Sequence, residues 1–488
     1  MTADFCKALR NEFRVIEKKN ELTVALNLTE EVESRIFSLT ALVKKGECRI
    51  ENGELFYGGT VSFNAVFMAE EMNRVEVGAK FTFKTTFEGE ADGCTARYHL
   101  GDVKLKREGG MLYATCELQS TITLIKTREI DFISSLDTLT KEGSARLFER
   151  SRFEKEFSVD DEFSTKRVKR ALSSEAVAIV TAVSCETDFL TVDGEVILNV
   201  CLLPFSENSD ILKETRIIPF RFEIDADGAD EGGEASVKAF AEKISLKIFV
   251  DENSGKTTVT ANVSVRVEGC LYTPTDQKYV IDAYSPEFEI ALKKEVIVER
   301  TIASFESGSE RVNGRAVCKV PEYSRLVKLV GERIDDCFYR RENGATVIEG
   351  VIVGDVIFAD SDNALVSESL KMPFGFTAPI EGEIEDLSVV IEGAAAKIRS
   401  GEIECDVTLR YSLAKIASFK TEVSTSAEKA ADKPVNDSAI SVYVGRRGDE
   451  EWDVIKRLGV SPDKIYELNG DISFPLSGGE KIAVFRKR

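Results

Sequence analysis

The 488-residue chain carries 64 lysines and arginines against 85 aspartates and glutamates, a formal net charge of −21. That acidity argues against a nucleic-acid partner, because a phosphate backbone attracts basic faces and repels acidic ones. The length exceeds what one core can serve, and at about 150 residues per domain it predicts roughly three or four domains.

The opening "MTADFCKALRNEFRV" places charges where a secretory peptide needs an apolar centre, and residues 1–34 read as an N-terminal extension. Nowhere is there an apolar run long enough to span a bilayer, so a cytoplasmic protein without a transmembrane segment is expected. The 10 cysteines stand singly, with no CxxC pair. Several, such as Cys201 in "VILNVCLLPF" and Cys405 in "GEIECDVTLRY", sit inside strand patterns and read as reduced, small core residues.

From there the chain alternates. "GGTVSFNAVF", "KFTFKTTF", "TTVTANVSVRV" and "EIECDVTLRYSL" put apolar or β-branched residues on every second position, the period of a half-buried strand. The strands recur as a set. "ENGELFYGGTVSFNAVF", "VDGEVILNVCLLPF" and "ENGATVIEGVIVGDVIF" each open a block with a glycine turn and a long apolar strand. An aromatic step follows in each block, at Phe81 and Phe83, Phe220 and Phe222, and Phe374 and Phe376; alternate phenylalanines of this kind read as core. A hairpin then closes each block. The reading is a mainly β chain of three tandem β-sandwich or barrel-like repeat domains over 35–165, 166–300 and 301–424.

Between the first two blocks, "LTKEGSARLFERSRFEKEFSVDDEFSTKRVKRALSS" is charged and weakly helical, and reads as including an interdomain connection. After the third, "STSAEKAADKPVNDSA" has linker composition, so 425–438 is expected to tether an independent module over 439–488. That module predicts strand, helix, helix, strand. Asp449 reads as the N-cap of the first helix, with Trp452, Ile455 and Leu458 on its apolar stripe and Gly459 as its stop. Ser461 and Pro462 open the second helix, with Ile465 and Leu468 facing inward. Trp452, the only tryptophan, is expected to pack the two helices together. Residues 439–488 hold nine basic against eight acidic residues, a weakly basic tip on an acidic body.

Catalytic patterns are few. His99 is the only histidine and lies in a strand pattern without a companion serine motif. Phosphate-binding glycine loops are missing, and "DADGADEGGE" with Asp225, Asp227 and Asp230 lacks the glycine position and closing glutamate of a calcium loop. Paired carboxylates meeting in space remain an open enzymatic alternative, with no pair to prefer. No cofactor or metal is expected.

The terminal module resembles the LysM domain through Tyr443, Gly448, Asp449, Trp452, Gly459, Val460, Leu468, Asn469 and the turn glycine Gly479. By that resemblance a groove for N-acetylglucosamine polymers would involve Gly448, Asp449, Glu450, Glu451, Asn469, Gly470, Asp471 and Ile472. Glu450 and Glu451 stand where the family usually has threonine and leucine, which places two anions at the groove rim. Three β blocks followed by such a module resemble the SPOCS (DUF3794) domain family of endospore-forming bacteria, with Pro219-Phe220 and Pro373-Phe374 carrying the repeat likeness. The resemblance implies a non-enzymatic scaffold in spore-coat assembly, in the mother-cell cytoplasm at the forespore surface. Its LysM domain would engage the coat basement-layer ATPase, a morphogenetic protein, and self-association is possible. The alternative is a peptidoglycan-binding or N-acetylglucosamine-oligomer-binding protein.

Overall fold

The computed structural model describes residues 2–29, 36–69, 71–205, 211–226, 228–229, 231–251, 255–317, 320–321, 324–362, 364–434, 439–470 and 472–485, without the side chains of 9–11, 336 and 386. The chain is mainly β. A first set of strands comprises β1 (Ala3–Thr29), β2 (Ile36–Glu51), β3 (Glu54–Met68), β4 (Met72–Thr86), β5 (Gly93–Glu108) and β6 (Met111–Leu136). They form two antiparallel sheets, β1-β6-β5 and β2-β3-β4. The second set is β7 (Leu139–Lys166), β8 (Val168–Glu186), β9 (Phe189–Pro204), β10 (Leu212–Asp225), β11 (Glu234–Asp251) and β12 (Lys256–Tyr284). The third is β13 (Phe288–Arg315), β14 (Arg325–Glu342), β15 (Ala345–Ala359), β16 (Leu365–Ala378), β17 (Ile384–Arg399) and β18 (Glu402–Asp432). Their sheets, β7-β12-β11 with β8-β9-β10 and β13-β18-β17 with β14-β15-β16, repeat the strand order of the first set. All six sheets are open and three-stranded, and none closes into a barrel.

Period two explains the cores. On β12, Val259, Ala261, Val263, Val265 and Val267 are fully buried, and on β10 Ile218, Phe220, Phe222 and Ile224 alternate with outward residues. These join Val196, Leu198, Val200 and Leu202 of β9 in one core between the two sheets of the second unit. Phe81, Phe220 and Phe374, one from each aromatic step, are buried on the equivalent strands β4, β10 and β16. His99 is exposed on β5 opposite Gln119.

The first two units each begin one strand earlier than expected, and the expected boundary at 300–301 falls inside β13. The expected N-terminal extension is instead strand over its described part: β1 pairs with β6 from Ala3 to Thr29 and is an edge strand of the first unit. The charged stretch read as an interdomain connection with weak helical character covers the start of β8 and, before it, β7, which pairs with β12 along its length. As an edge strand β7 keeps its charges in water while Phe153, Phe157, Val159 and Phe163 turn inward. The expected linker is strand as far as Asp432, because "STSAEKAAD" continues β18 against β13 and Ala427 packs on the neighbouring ribbons. Residues 435–438 lie outside the described residues, as do Asp227 and Asp230.

Apolar clusters join the units. Phe37, Met72, Leu172, Cys201, Ile211, Val330 and Ile357 bring the β2, β8 and β14 sheets together, which explains why the central strands β9 and β15 are buried on both faces. The long two-stranded ribbons β1–β6, β7–β12 and β13–β18 run past their own sandwiches and pack on one another through Ala8, Phe132, Ala145, Leu147, Ile297 and Val423. A polar network also joins the first two units, where Lys44 pairs with Glu242, Arg266 reaches Glu242 at 2.7 Å and Lys45 reaches Glu268 at 3.3 Å. Between the first and third, the Ser38 hydroxyl donates to Asp355 at 2.7 Å. No helix among the described residues is long and apolar enough to cross a membrane.

Phe132 is fully buried at the seam of all three units. Phe132→Ala is expected to cost about 3–5 kcal/mol, measured by guanidinium unfolding. A chain beginning at residue 35 loses β1 and leaves β6 with an unpaired edge, so it is expected to elute as aggregate in size-exclusion chromatography.

Candidate functional site in the terminal module

The module runs β19 (Ile440–Val444), α1 (Glu451–Leu458), α2 (Pro462–Asn469) and β20 (Lys481–Phe485), with β19 and β20 antiparallel. Glu450, not Asp449, is the N-cap of α1: its backbone is extended and its N–H donates to the Asp453 carboxylate at 3.3 Å. Gly459 ends α1 in the left-handed conformation (φ 70°), where a side chain would be strained. Ser461 caps α2 and Pro462 occupies its first turn. Val454, Ile455, Leu458, Ile465, Ile482 and Val484 form the core, whereas Leu468, expected to face inward, is 46% exposed.

The eight groove candidates separate by what their atoms already do. Asp449 is buried; its carboxylate accepts hydrogen bonds from the Tyr443 hydroxyl and, at 2.8 Å, from the Arg446 N–H, with Arg457 3.6 Å away. The Tyr443 hydrogen bond, foremost, and these neighbours hold Asp449 below the usual carboxylate range. Asn469 is spent as well. Its amide nitrogen donates to the carbonyls of Ile465 at 2.6 Å and Ala483 at 2.7 Å, and its oxygen accepts the Ala483 N–H at 2.8 Å. Asn469 therefore ties the end of α2 to β20.

Gly448 supplies a positive φ of 88° and donates its N–H to the Leu476 carbonyl at 2.8 Å. Gly470 turns the chain out of α2, and Ile472 donates its N–H to the Gly470 carbonyl and packs on the module core. Burial, first, and the neighbouring Glu451 carboxylate raise the Tyr466 phenol of α2. Glu450 pairs at 2.5 Å with Lys141 of β7, in the second unit. Asp471 lies outside the described residues.

That last contact of Glu450 belongs to an interface the sequence did not announce. Trp452 donates its indole N–H to Asp282 of β12 at 2.9 Å, and Lys456 reaches the same oxygen at 2.7 Å. Leu139 and Tyr284, at the ends of β7 and β12, pack into the module core. Lys433 stands 4.1 Å from the centre of the Tyr284 ring and donates to the Ser285 carbonyl. Trp452 thus joins the module to the body instead of serving only to pack two helices. Burial alone would raise the Asp282 carboxyl, but the hydrogen bonds from Lys456 and Trp452 outweigh it and hold the group below its ordinary range.

Glu480 was not singled out in the sequence either. Its carboxylate accepts from the Ser477 and Gly478 N–H groups, both at 2.8 Å, and from the Ser477 hydroxyl, which brings it down to about 2 and fixes the turn before β20. Asp449, Asn469 and Glu480 thus serve the module's own turns, and Glu450, Trp452 and Lys456 its seat on the body.

A cleft of about 1610 Å³ lies among the three units, lined by both signs of charge, including Arg97, Arg150, Arg152, Glu268 and Glu299. Burial raises the Glu299 carboxyl, countered by Arg150 at 3.7 Å. No protein-family model matches the chain, and neither a curated protein nor a solved structure matches it.

Two outcomes are expected. Because the folded pKa of Asp282 lies below its unfolded value of about 3.9, its contribution is complete above that value and lost as pH falls through the folded pKa. Trp452 emission should therefore hold steady from about pH 8 to 5 and move red only in stronger acid, whereas Asp282→Ala moves it red at neutral pH. Asn469→Ala should cost the module about 1–3 kcal/mol, read from the Trp452 unfolding transition, because two carbonyls and an N–H lose their partner.

Proposed function

We propose that the chain is a non-enzymatic scaffold of the endospore envelope. In this reading the three six-stranded units are copies of one SPOCS-like repeat, and the LysM-like module recruits a coat morphogenetic protein, the basement-layer ATPase. The protein then works in the mother-cell cytoplasm at the forespore surface. The observation that carries this reading is the use of Asp449, Asn469 and Glu450. The first two are saturated within the module and the third is engaged by Lys141, so the groove positions offer a sugar few free polar groups. A glycan needs such groups to distinguish its hydroxyls.

What the module does expose is apolar. Ile440, Val442 and Val444 of β19 and Phe485 of β20 are each more than half exposed, and Tyr466 and Leu468 of α2 are also open. A protein partner suits that surface better than an oligosaccharide does. The order of strand, helix, helix and strand keeps N-acetylglucosamine oligomers as the second reading, with Glu451 and Gly470 at the rim.

The test is a titration of the whole protein with N-acetylglucosamine and peptidoglycan oligomers, following Trp452 fluorescence and calorimetry, beside a binding assay with the basement-layer ATPase. No saturation by sugar is expected, together with saturable binding of the ATPase that Val442→Asp weakens by about tenfold or more. Saturable sugar binding without ATPase binding would replace the scaffold reading with the glycan one.

A further inference from the structure

The two sheets of the first unit approach each other where β2 faces β5, and two thiols meet there. Cys48 Sγ lies 3.0 Å from Cys94 Sγ, across 46 residues of sequence, and both cysteines are reduced. A disulfide bond is about 2.05 Å long, so the sulfurs stand within about 1 Å of bonding distance. The backbone is shaped to bring them together. Between Lys45 and Cys48 the pairing of β2 with β3 slips register. Gly46 occupies that irregularity, and a Cβ there would sit 2.9 Å from the Gly59 Cα, so the glycine permits the bend that precedes Cys48. Cys94 lies near the start of β5, opposite Leu124. The pair stands on a small apolar cluster of Leu55, Tyr57, Ala96, Ile122 and Leu124, beside Tyr98, whose hydroxyl donates to the Gly58 carbonyl at 2.8 Å. Both cysteines are half-buried, which leaves a small oxidant a route to them.

We propose that Cys48 and Cys94 are a redox site, closing to a disulfide that staples the β2-β3-β4 sheet to the β1-β6-β5 sheet in an oxidising thiol–disulfide environment. The co-reactant is a small-molecule disulfide. One protein thiolate attacks it, forming a mixed disulfide and releasing one small thiolate. The second protein thiolate attacks the mixed disulfide at the protein sulfur and releases the other. Two protein thiols give up two protons and two electrons, and one small disulfide is reduced to two thiols. The first unit has reason to use such a staple, because its buried side chains divide between two clusters whereas the second and third units each have one continuous core between their sheets. Burial, first, and the neighbouring Cys94 raise the Cys48 thiol, so closure should quicken as pH rises.

The whole protein is incubated with oxidised glutathione at about pH 8, its remaining thiols are alkylated in denaturant, and it is digested without reduction for mass spectrometry. The expected product is a peptide linking Cys48 to Cys94, an intact mass lower by about 2 Da before alkylation, and reversal by dithiothreitol. Closing a loop of this length should also raise the thermal midpoint of the first unit by roughly 10 °C. Cys48→Ser and Cys94→Ser should each lose the linked peptide and the thermal response to oxidant while melting like the reduced parent; Cys48→Ala and Cys94→Ala serve if serine is not accepted in this apolar setting. Recovery of both cysteines alkylated, or as separate glutathione adducts, would overturn the proposal. So would cross-links scattered over the other cysteines.

Discussion

Three β ribbons that outrun their own sandwiches need a cover, and they find it in one another. A two-stranded ribbon is marginal in water by itself. Here the outer parts of β1–β6, β7–β12 and β13–β18 bury Ala8, Phe132, Ala145, Leu147, Ile297 and Val423 in one seam. The alanines let the backbones come close and Phe132 fills the space between them. A second seam, with Val280, Ala283, Ile133, Ile290 and Leu292, continues the contact toward the ribbon ends. The magnitudes favour these apolar seams over the charges around them. Fully burying one large apolar side chain contributes about 1.5–3 kcal/mol, whereas desolvation takes back most of what a buried ion pair gains. The Lys44, Glu242 and Arg266 network therefore sets how the first two units register more than how tightly they hold.

The seat of the terminal module follows from that arrangement. The β7–β12 ribbon ends in Leu139 and Tyr284, and α1 covers them. Of the polar contacts there, Lys141 with Glu450 joins two well-exposed side chains, at 41% and 58%, and so contributes below about 1 kcal/mol. Asp282 is different: it is less exposed, it receives both an indole N–H and an ammonium, and removing it would leave two donors turned toward an apolar boundary. The orientation of the module thus rests on Leu139, Tyr284 and Asp282.

Strands were legible wherever one face is apolar and the other polar, as in β10 and β12, and the aromatic steps marked the same strand in each unit. The charged edge strands β1 and β7 were not. β1 and β7 carry so many charges that their apolar residues are diluted, and "STSAEKAAD" has too little hydrophobicity to signal a strand that its partner β13 supports. The result was a frame that began the first two units one strand late and cut through β13. In the module the important residues were visible but their roles were not, since a polar residue at Asp449 or Asn469 is required equally by a ligand and by a turn. Asp282, distant in sequence from Trp452 and Lys456, gave no local signal of that contact.

The same magnitudes decide which feature bears on binding. Breaking the exposed Lys141–Glu450 pair costs little, so the body does not by itself close the groove to a ligand. The cost lies inside the module. A sugar hydroxyl that recruited Asn469 would have to break its bonds to Ile465 and Ala483 and loosen α2 from β20. One that recruited Asp449 would compete with Tyr443 and Arg446 for a carboxylate already below its ordinary pKa. Each exchange trades a buried, satisfied hydrogen bond for one of similar strength and strains the fold to do so, leaving no net gain. The open face of β19 and β20 carries no such cost, because Ile440, Val442, Val444 and Phe485 give up only water when they are covered.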